Sequence, residues 1–599
     1  MINDVTERPR AVGPSRRTFL NALVAAPLVG AALAGCRPGP AASAPVLPGG
    51  RRALPIPPLA RSVVGADGVR RFDLTAQAGS SEIVAGRRSA TWGFNGNILG
   101  PTLRARDGEK VAITVRNRLA EATSVHWHGM HVPARADGGP HQMIEPNGTW
   151  TAEWTVRQRA STLWYHPHPH GVTEKHVYRG LSGFFLLDDD AQDALGLPSE
   201  YGVDDIPVVV QDRKFTPDGA LDETGAGEAG LIGPTVITNG VAGASLLVRR
   251  SRIRLRLLNG ASARCFEFGF ADGRRFEMIA SDGGLLAAPV LLNRLMLSPG
   301  ERAEIVVPIT AGECVMLRSY PTTVRGRMSG DIAREYGQDD TLDVLELVGA
   351  GALEAGAGAV PRALAAIAPL APGATSASPS TRTFELQWYM INGERMDMSR
   401  IDLAPTVDTT EVWTVRNKDN WPHNFHIHDV QFQVVSVNGA PPPAPLRGWK
   451  DTVYLAPGDR CVLAMRFTDY TDLTMPYMYH CHLLLHEDRG MMGQFVVAGQ
   501  GRPRRRAWRW PTCRGWTRRG PGRPDPRPRP PVRARRRTAA TDRRVRTARS
   551  ARGRTARPAP PGLGRPRTAA SGTRRARTAD RAPARRRCRG GSPRRRAPG

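Results

Sequence analysis

The stretch Tyr479 to Met492, YHCHLLLHEDRGMM, sets one thiol, Cys481, between two imidazoles, His480 and His482, and follows them with His486 and Met491. On a strand, successive side chains point to opposite faces, so Cys481 faces one way and both histidines the other. That spacing predicts two metal sites, back to back, joined through adjacent residues. A His/His/Cys set with a long, weak thioether is the ligand group of blue-copper centres. Cys481, His486 and Met491 supply all of it except one histidine. Without a metal, so many polar rings in a core would be costly to bury.

Working outward, the sequence holds 14 histidines. Four His-x-His pairs, 126/128, 166/168, 426/428 and 480/482, provide eight imidazoles divided evenly between the first and last thirds of the body. Each pair puts two rings on one strand face, about 6.6–6.8 Å apart at the backbone, a spacing that suits neighbouring metals in a cluster. His423 and His486 then complete the site around Cys481 and Met491. His131, His141, His170 and His176 are left over and read as solvated side chains or neighbours of ligands.

From Phe72 the chain consists of short strands divided by turn residues, the pattern of all-β sandwiches. One unit recurs three times, at Gly108–Asn117 (GEKVAITVRN), Gly300–Val307 (GERAEIVV) and Gly458–Leu463 (GDRCVL), which predicts three related sandwiches. The boundaries expected are 61–190, 205–350 and 383–500, with linkers at 37–60 and 351–382. The middle unit has no histidine and is expected to be a copper-free spacer. Arg252, Arg254 and Arg256 read as the solvated face of a strand whose other face carries Ile253, Leu255 and Leu257. Gly225–Gly230 matches a dinucleotide pattern by letter only and is expected to be a flexible loop.

The formal charge of +29 suggests a nucleic-acid binder until it is located. Residues 501–599 hold 35 arginines, no lysine and 3 aspartates, so the body is nearly neutral and no nucleic-acid partner is expected. This tail is too poor in apolar residues to offset ordering entropy; it reads as disordered, or as a shifted frame of GC-rich coding sequence. At the other end, Ser15-Arg16-Arg17-Thr18-Phe19-Leu20 and the apolar run Ala22–Ala34 read as a twin-arginine export signal within residues 1–36. Leu33-Ala34-Gly35-Cys36 is similar to a bacterial lipobox, implying lipidation of Cys36 and a membrane anchor at the cell surface, or otherwise a periplasmic or extracellular protein. Of seven cysteines, Cys265 and Cys314 form the one candidate pair, which the sequence leaves open.

At these histidine motifs the chain resembles the multicopper oxidases, the family of laccases, bilirubin oxidases and bacterial cuprous oxidases, over roughly Arg61 to Val497. The resemblance implies three cupredoxin-like Greek-key β-sandwich domains and four copper ions. It implies type 1 copper on His423, Cys481, His486 and Met491; type 2 copper on His126 and His426; and a type 3 pair on His128, His166, His168, His428, His480 and His482. Asp137 and Glu487 match family carboxylates that feed protons toward the cluster. The implied reaction couples four one-electron oxidations of a small reductant to reduction of O2 to two waters, in a monomer.

A copper carrier without turnover and a copper nitrite reductase are the competing readings. A carrier needs few of the cluster ligands, and the reductase family typically has two sandwiches per chain in a trimer. The reductant stays open between phenols or pyrroles and Cu(I) or Fe(II). Asp419 stands where cuprous oxidases place an aspartate, but Trp421 stands where they place a methionine, and that tryptophan is closer to the bilirubin-oxidase pattern.

Overall fold

A computed structural model describes residues 51–322, 328, 330–370, 381–501 and 508–509. The export signal, Cys36 and nearly all of the arginine-rich tail lie outside the described residues. Within these limits the chain builds three β-sandwiches, each a pair of sheets around its own apolar core.

The three sandwiches share one topology, but the repeated units do not hold equivalent places in it: Lys110–Asn117 is a central strand, whereas Arg302–Pro308 and Arg460–Phe467 take the place that Thr149–Thr155 has beside it. Lys110–Asn117 runs parallel to Arg70–Val84 and antiparallel to Thr149–Thr155. Arg252–Asn259 has the same two neighbours in Asp205–Arg213 and Arg302–Pro308, and Thr409–Asn417 has them in Thr381–Gln387 and Arg460–Phe467. Each central strand ends in an asparagine that pins the loop behind it. The Asn117 side chain donates to the carbonyls of Glu121 and Ile144 and accepts from Leu119 N–H. Asn259 repeats this on Arg264, Leu297 and Ala261, and Asn417 on Trp421, Leu455 and Asp419. Three hydrogen bonds per amide satisfy buried backbone groups that a bare loop would orphan. The first and third of these loops lead straight into the histidine strands His126–His128 and His423–Ile427.

Two expectations fail here. Arg254 and Arg256 are not solvated but almost wholly buried. Arg256 pairs with Asp205 at 2.6 Å and Glu304 at 3.0 Å, Arg254 pairs with Glu304, and Thr162 of the first sandwich donates to Glu304 at 2.7 Å. Alternation shows that a strand has two faces, but not that the polar one packs on another sandwich. The 37–60 tether is ordered from residue 51: Arg52–Ala53 pairs parallel with Ala244–Ser245, and Leu54 joins the second core. The pairing that the sequence leaves open is not made: Cys265 and Cys314 are both free. Cys265 precedes Phe266–Phe270 and Cys314 opens Cys314–Tyr320, and the antiparallel register that sets Glu267 opposite Tyr320 leaves them at opposite ends of the ladder.

In the described part of the tail, Trp508–Arg509 pairs with Arg400–Ile401. A separate ladder of two residues a side adds little, so truncation after Gly501 should shift the calorimetric melting temperature by no more than about 2 °C. No helix among the described residues is long and apolar enough to cross a membrane.

His131 joins the first sandwich to the third, with Nδ1 at 2.8 Å from Asp429 Oδ1 and Nε2 at 3.1 Å from Asp469 Oδ2. Burial opposes its charge, but the two carboxylates prevail and raise its pKa to about 9. A raised folded-state pKa means that the stability it contributes is complete below the unfolded value of about 6.5 and is lost as pH climbs toward 9. His131→Gln should therefore flatten the decline in stability between those pH values, measured by denaturant titration.

Candidate metal centre

The strand Asp472–His480 pairs with His423–Ile427, setting His480 opposite His426. Alternation along the latter sends His426 and, one residue beyond its end, His428 to one side and His423 to the other, matching the division at Cys481. The structure brings together the donors that the sequence singles out and separates them into a thiolate site and an imidazole cluster.

At the thiolate site, Cys481 Sγ lies 3.6 Å from Nδ1 of both His423 and His486, and these nitrogens are 3.1 Å apart. The far nitrogens are already engaged: His423 Nε2 with Asp419 Oδ2 at 2.8 Å, and His486 Nε2 with the Glu228 carbonyl at 3.1 Å. Both Nδ1 lone pairs therefore face the sulfur. Met491 is buried in the same cluster, its N–H bonded to the His486 carbonyl and its own carbonyl accepting from Cys481 N–H. Burial pushes the Cys481 thiol up to about 12 and lowers the pKa of His423 and His486. A metal entering here must displace the thiol proton, which ties its affinity to pH.

The cluster contains three interlocking groups: His126, His128 and His426; His128, His166 and His482; and His168, His428 and His480. The outer hydrogen bonds fix the tautomers. His126 and His426 donate from Nδ1 to the carbonyls of Asp137 and Asp451, both at 2.9 Å. That leaves Nε2 of each buried and without a partner. His428 Nδ1 donates to Asp137 Oδ2 at 2.8 Å and His480 Nδ1 to the Cys481 carbonyl at 3.1 Å. Yet Nε2 of His480 sits 3.2 Å from that of His428 and 3.1 Å from that of His168. Between His428 and His480, whose protons are on Nδ1, no proton is available, so the convergence of these lone pairs suits a cation. Protons are a poor substitute: burial, reinforced by neighbouring rings, holds His128, His166, His426 and His428 far below the usual histidine range. His168 and His482 are held down to about 3. Neutral imidazoles outside and a soft thiol within are the donor set of copper rather than of a hard ion.

Asp137 and Glu487 are buried against the third group. Besides His428, Asp137 reaches His126 Nδ1 at 3.4 Å with Oδ1. Glu487 lies 3.2 Å from His480 Nδ1 and 3.4 Å from His168 Nδ1, and accepts from Thr173 Oγ1 at 2.8 Å. Burial alone would raise its pKa, but His168 and His480 outweigh burial and hold it well below the carboxylate range. Gly138 (φ +78°) makes the Asp137 carbonyl available, because a Cβ at that turn would collide with the Val125 carbonyl.

Several contributors escape sequence reasoning. Asp451 Oδ1 bonds His128 Nε2 at 3.0 Å and is gripped at 2.7 Å by Arg302, a buried residue of the middle sandwich. That sandwich is thus more than a spacer. The Gly225–Gly230 loop is part of the wall of the site, since Glu228 caps His486 and pairs with Arg489 at 2.7 Å. Trp421 lies half-buried beneath Trp388 and Tyr389, a two-residue turn between Thr381–Gln387 and Met390–Ile391. Of the unassigned histidines, His141 meets Gln494, His176 meets Glu121, and His170 is exposed.

Models of the multicopper oxidase family match residues 75–192 and 369–501. A multicopper oxidase of Staphylococcus haemolyticus is 36% identical over 461 residues, spanning 75% of this chain and 93% of that protein. The cell division protein FtsP of Escherichia coli is 35% identical over 488 residues, spanning 81% and 98%. Among solved structures, a laccase-like multicopper oxidase from Ochrobactrum sp., described as active on lignin model compounds and lignosulfonate, superposes with a TM-score of 0.66 at 36% identity, covering 74% of this chain and all of that one.

Proposed function

Because this chain belongs to the multicopper oxidase family, we propose that it oxidises small reductants one electron at a time and passes the electrons to O2, giving water. In this reading His423, Cys481, His486 and Met491 hold one copper. His126 and His426 hold a second, and His128, His166 and His482 with His168, His428 and His480 hold a pair. When bound, copper supplies the one-electron redox chemistry that no side chain here has.

The protein contributes the rest. The carrying observation is the convergence of unprotonated lone pairs at two buried sites on either side of His480-Cys481-His482. Three adjacent residues thus connect the thiolate site to the cluster covalently. The Nδ1 hydrogen bonds to Asp137, Asp451 and Cys481 oxygens fix ring orientation, as outer partners of metal-binding histidines do. Asp137 Oδ2 and Glu487 Oε2, beside His428 and His480, are the atoms at which protons consumed in O2 reduction would be held. A phenol or pyrrole is favoured as reductant over Cu(I), since Trp421 stands two residues before His423, where cuprous oxidases place a methionine. Export by the twin-arginine route, with Cys36 lipidated at the cell surface, completes the proposal.

Likeness to the cell division protein FtsP favours a second reading, a structural role in cell division without turnover. Oxygen uptake by the copper-loaded protein separates the two. The oxidase reading expects sustained O2 consumption with a phenolic donor, with one O2 used per four electrons and no accumulated peroxide. A protein that takes up copper but consumes no O2 with phenols, bilirubin, Fe(II) or Cu(I) supports the structural role.

A further inference from the structure

Trp388 and Tyr389 fill a two-residue hairpin turn in which both hold positive φ, +53° and +56°. Turns of this hand are ordinarily made from Asn and Gly, because larger side chains crowd the backbone. Strained bulky residues persist where surrounding contacts over-determine them, and such places cluster at binding sites.

Both turn residues are tied to the thiolate site. Trp388 N–H donates to Asp419 Oδ2 at 3.0 Å, the atom that also bonds His423 Nε2. The Trp388 ring meets Trp421 edge-on with centroids 5.2 Å apart, Trp421 stacks on Tyr389 at 6.1 Å, and Tyr389 meets His486 edge-on at 5.0 Å. An unbroken series of aromatic contacts thus runs from the turn to a ligand of the site. The ligands themselves are closed off. His423 and His486 are fully buried, and Glu228, capping His486, is clasped by Tyr389 Oη and Arg489. Trp388, by contrast, is 56% exposed, the one aromatic among the large exposed apolar side chains of the described residues.

We propose that the open face of Trp388 is a docking site for flat aromatic reductants, phenols and aromatic amines too bulky to reach His486, and that Trp388, Trp421 and Tyr389 together set the preference for them. The inference rests on the oxidase reading. A docked phenol would give up one electron to the copper(II) that His423, Cys481 and His486 would hold, and release its hydroxyl proton to solvent; the phenoxyl radical would depart and the protein rings would be unchanged.

The test compares wild type, Trp388→Gly and Trp388→Phe, all copper-loaded. Glycine suits the positive φ, so the fold should hold and the melting temperature should not fall. Binding of the redox-inert probe 2-methoxynaphthalene is followed by saturation-transfer NMR with the copper kept reduced, and donor kinetics are run with a biphenol and with hexacyanoferrate(II). Losing one aromatic contact should weaken probe binding in Trp388→Gly about fivefold, raise the biphenol KM by a similar factor with kcat little changed, and lower the biphenol-to-hexacyanoferrate preference accordingly. Trp388→Phe should recover most of each effect. Equal probe affinity in wild type and Trp388→Gly, or equal loss for both donors, overturns the docking site. If no donor drives O2 uptake, the oxidase reading fails alone, and probe binding still decides whether Trp388 docks aromatics.

Discussion

Cys481→Ser should abolish the intense blue colour of the copper-loaded protein and lower donor-driven O2 uptake by roughly a thousandfold or more, about 4 kcal/mol of lost transition-state stabilisation. The thiol sulfur is the one soft anionic donor at this site, 3.6 Å from two imidazole nitrogens that have no other role. Serine keeps the size and the backbone but offers a hard oxygen with little affinity for a soft ion. Because His480 and His482 face the other way, the cluster should stay metallated. Absorption and electron paramagnetic resonance spectra, with copper quantified on the same sample, check both halves. A variant that stays blue, or one that loses all copper, contradicts the division of the motif between two sites.

Arg302→Met should destabilise the protein by about 3–5 kcal/mol, because it removes one partner of a fully buried ion pair and leaves the Asp451 charge uncompensated. Arg302 holds both Asp451 oxygens at 2.7 Å, and Asp451 in turn touches His128 and Thr452 and offers its carbonyl to His426. The same change should therefore lower copper retention in the cluster, whereas the blue colour from the Cys481 site persists. Denaturant titration and chelator-challenged copper analysis report the two effects separately. Unchanged stability would mean that Asp451 is neutralised in some other way, for instance by taking up a proton.

Much of this architecture is legible in the sequence because the ligands obey local rules. Alternation at His480-Cys481-His482 and in each His-x-His pair predicts which rings share a face; the eight rings meet in one buried cluster, in which 126/128 share a group and the other three pairs are divided between neighbouring groups. The Gly108, Gly300 and Gly458 units announce three sandwiches, although the strands that are equivalent in the fold are those ending in Asn117, Asn259 and Asn417. What is not legible depends on contacts between sandwiches. A charged face on a strand reads the same whether water or another domain covers it, so Arg254 and Arg256 look exposed in sequence and are buried in the fold. Arg302 and Asp451 are separated by 149 residues and belong to different sandwiches. Glu228 lies in a glycine-rich segment whose letters give no hint that it caps His486. The Trp388–Tyr389 turn carries none of the residues that announce a tight hairpin, and its strain, about 1–2 kcal/mol per residue, is visible only in the backbone angles.

The most direct test of the central claim, that one Cys481-centred site and one histidine cluster hold copper on opposite sides of the same strand end, is copper counting joined to spectroscopy on a single wild-type preparation. The account predicts about four coppers per chain, one giving the narrow-hyperfine signal and blue absorption of a thiolate site and three in the cluster, one of these with an ordinary copper(II) signal and two silent as a coupled pair. A protein that fills with copper yet stays colourless, or that holds no more than one copper under saturating conditions, would contradict it.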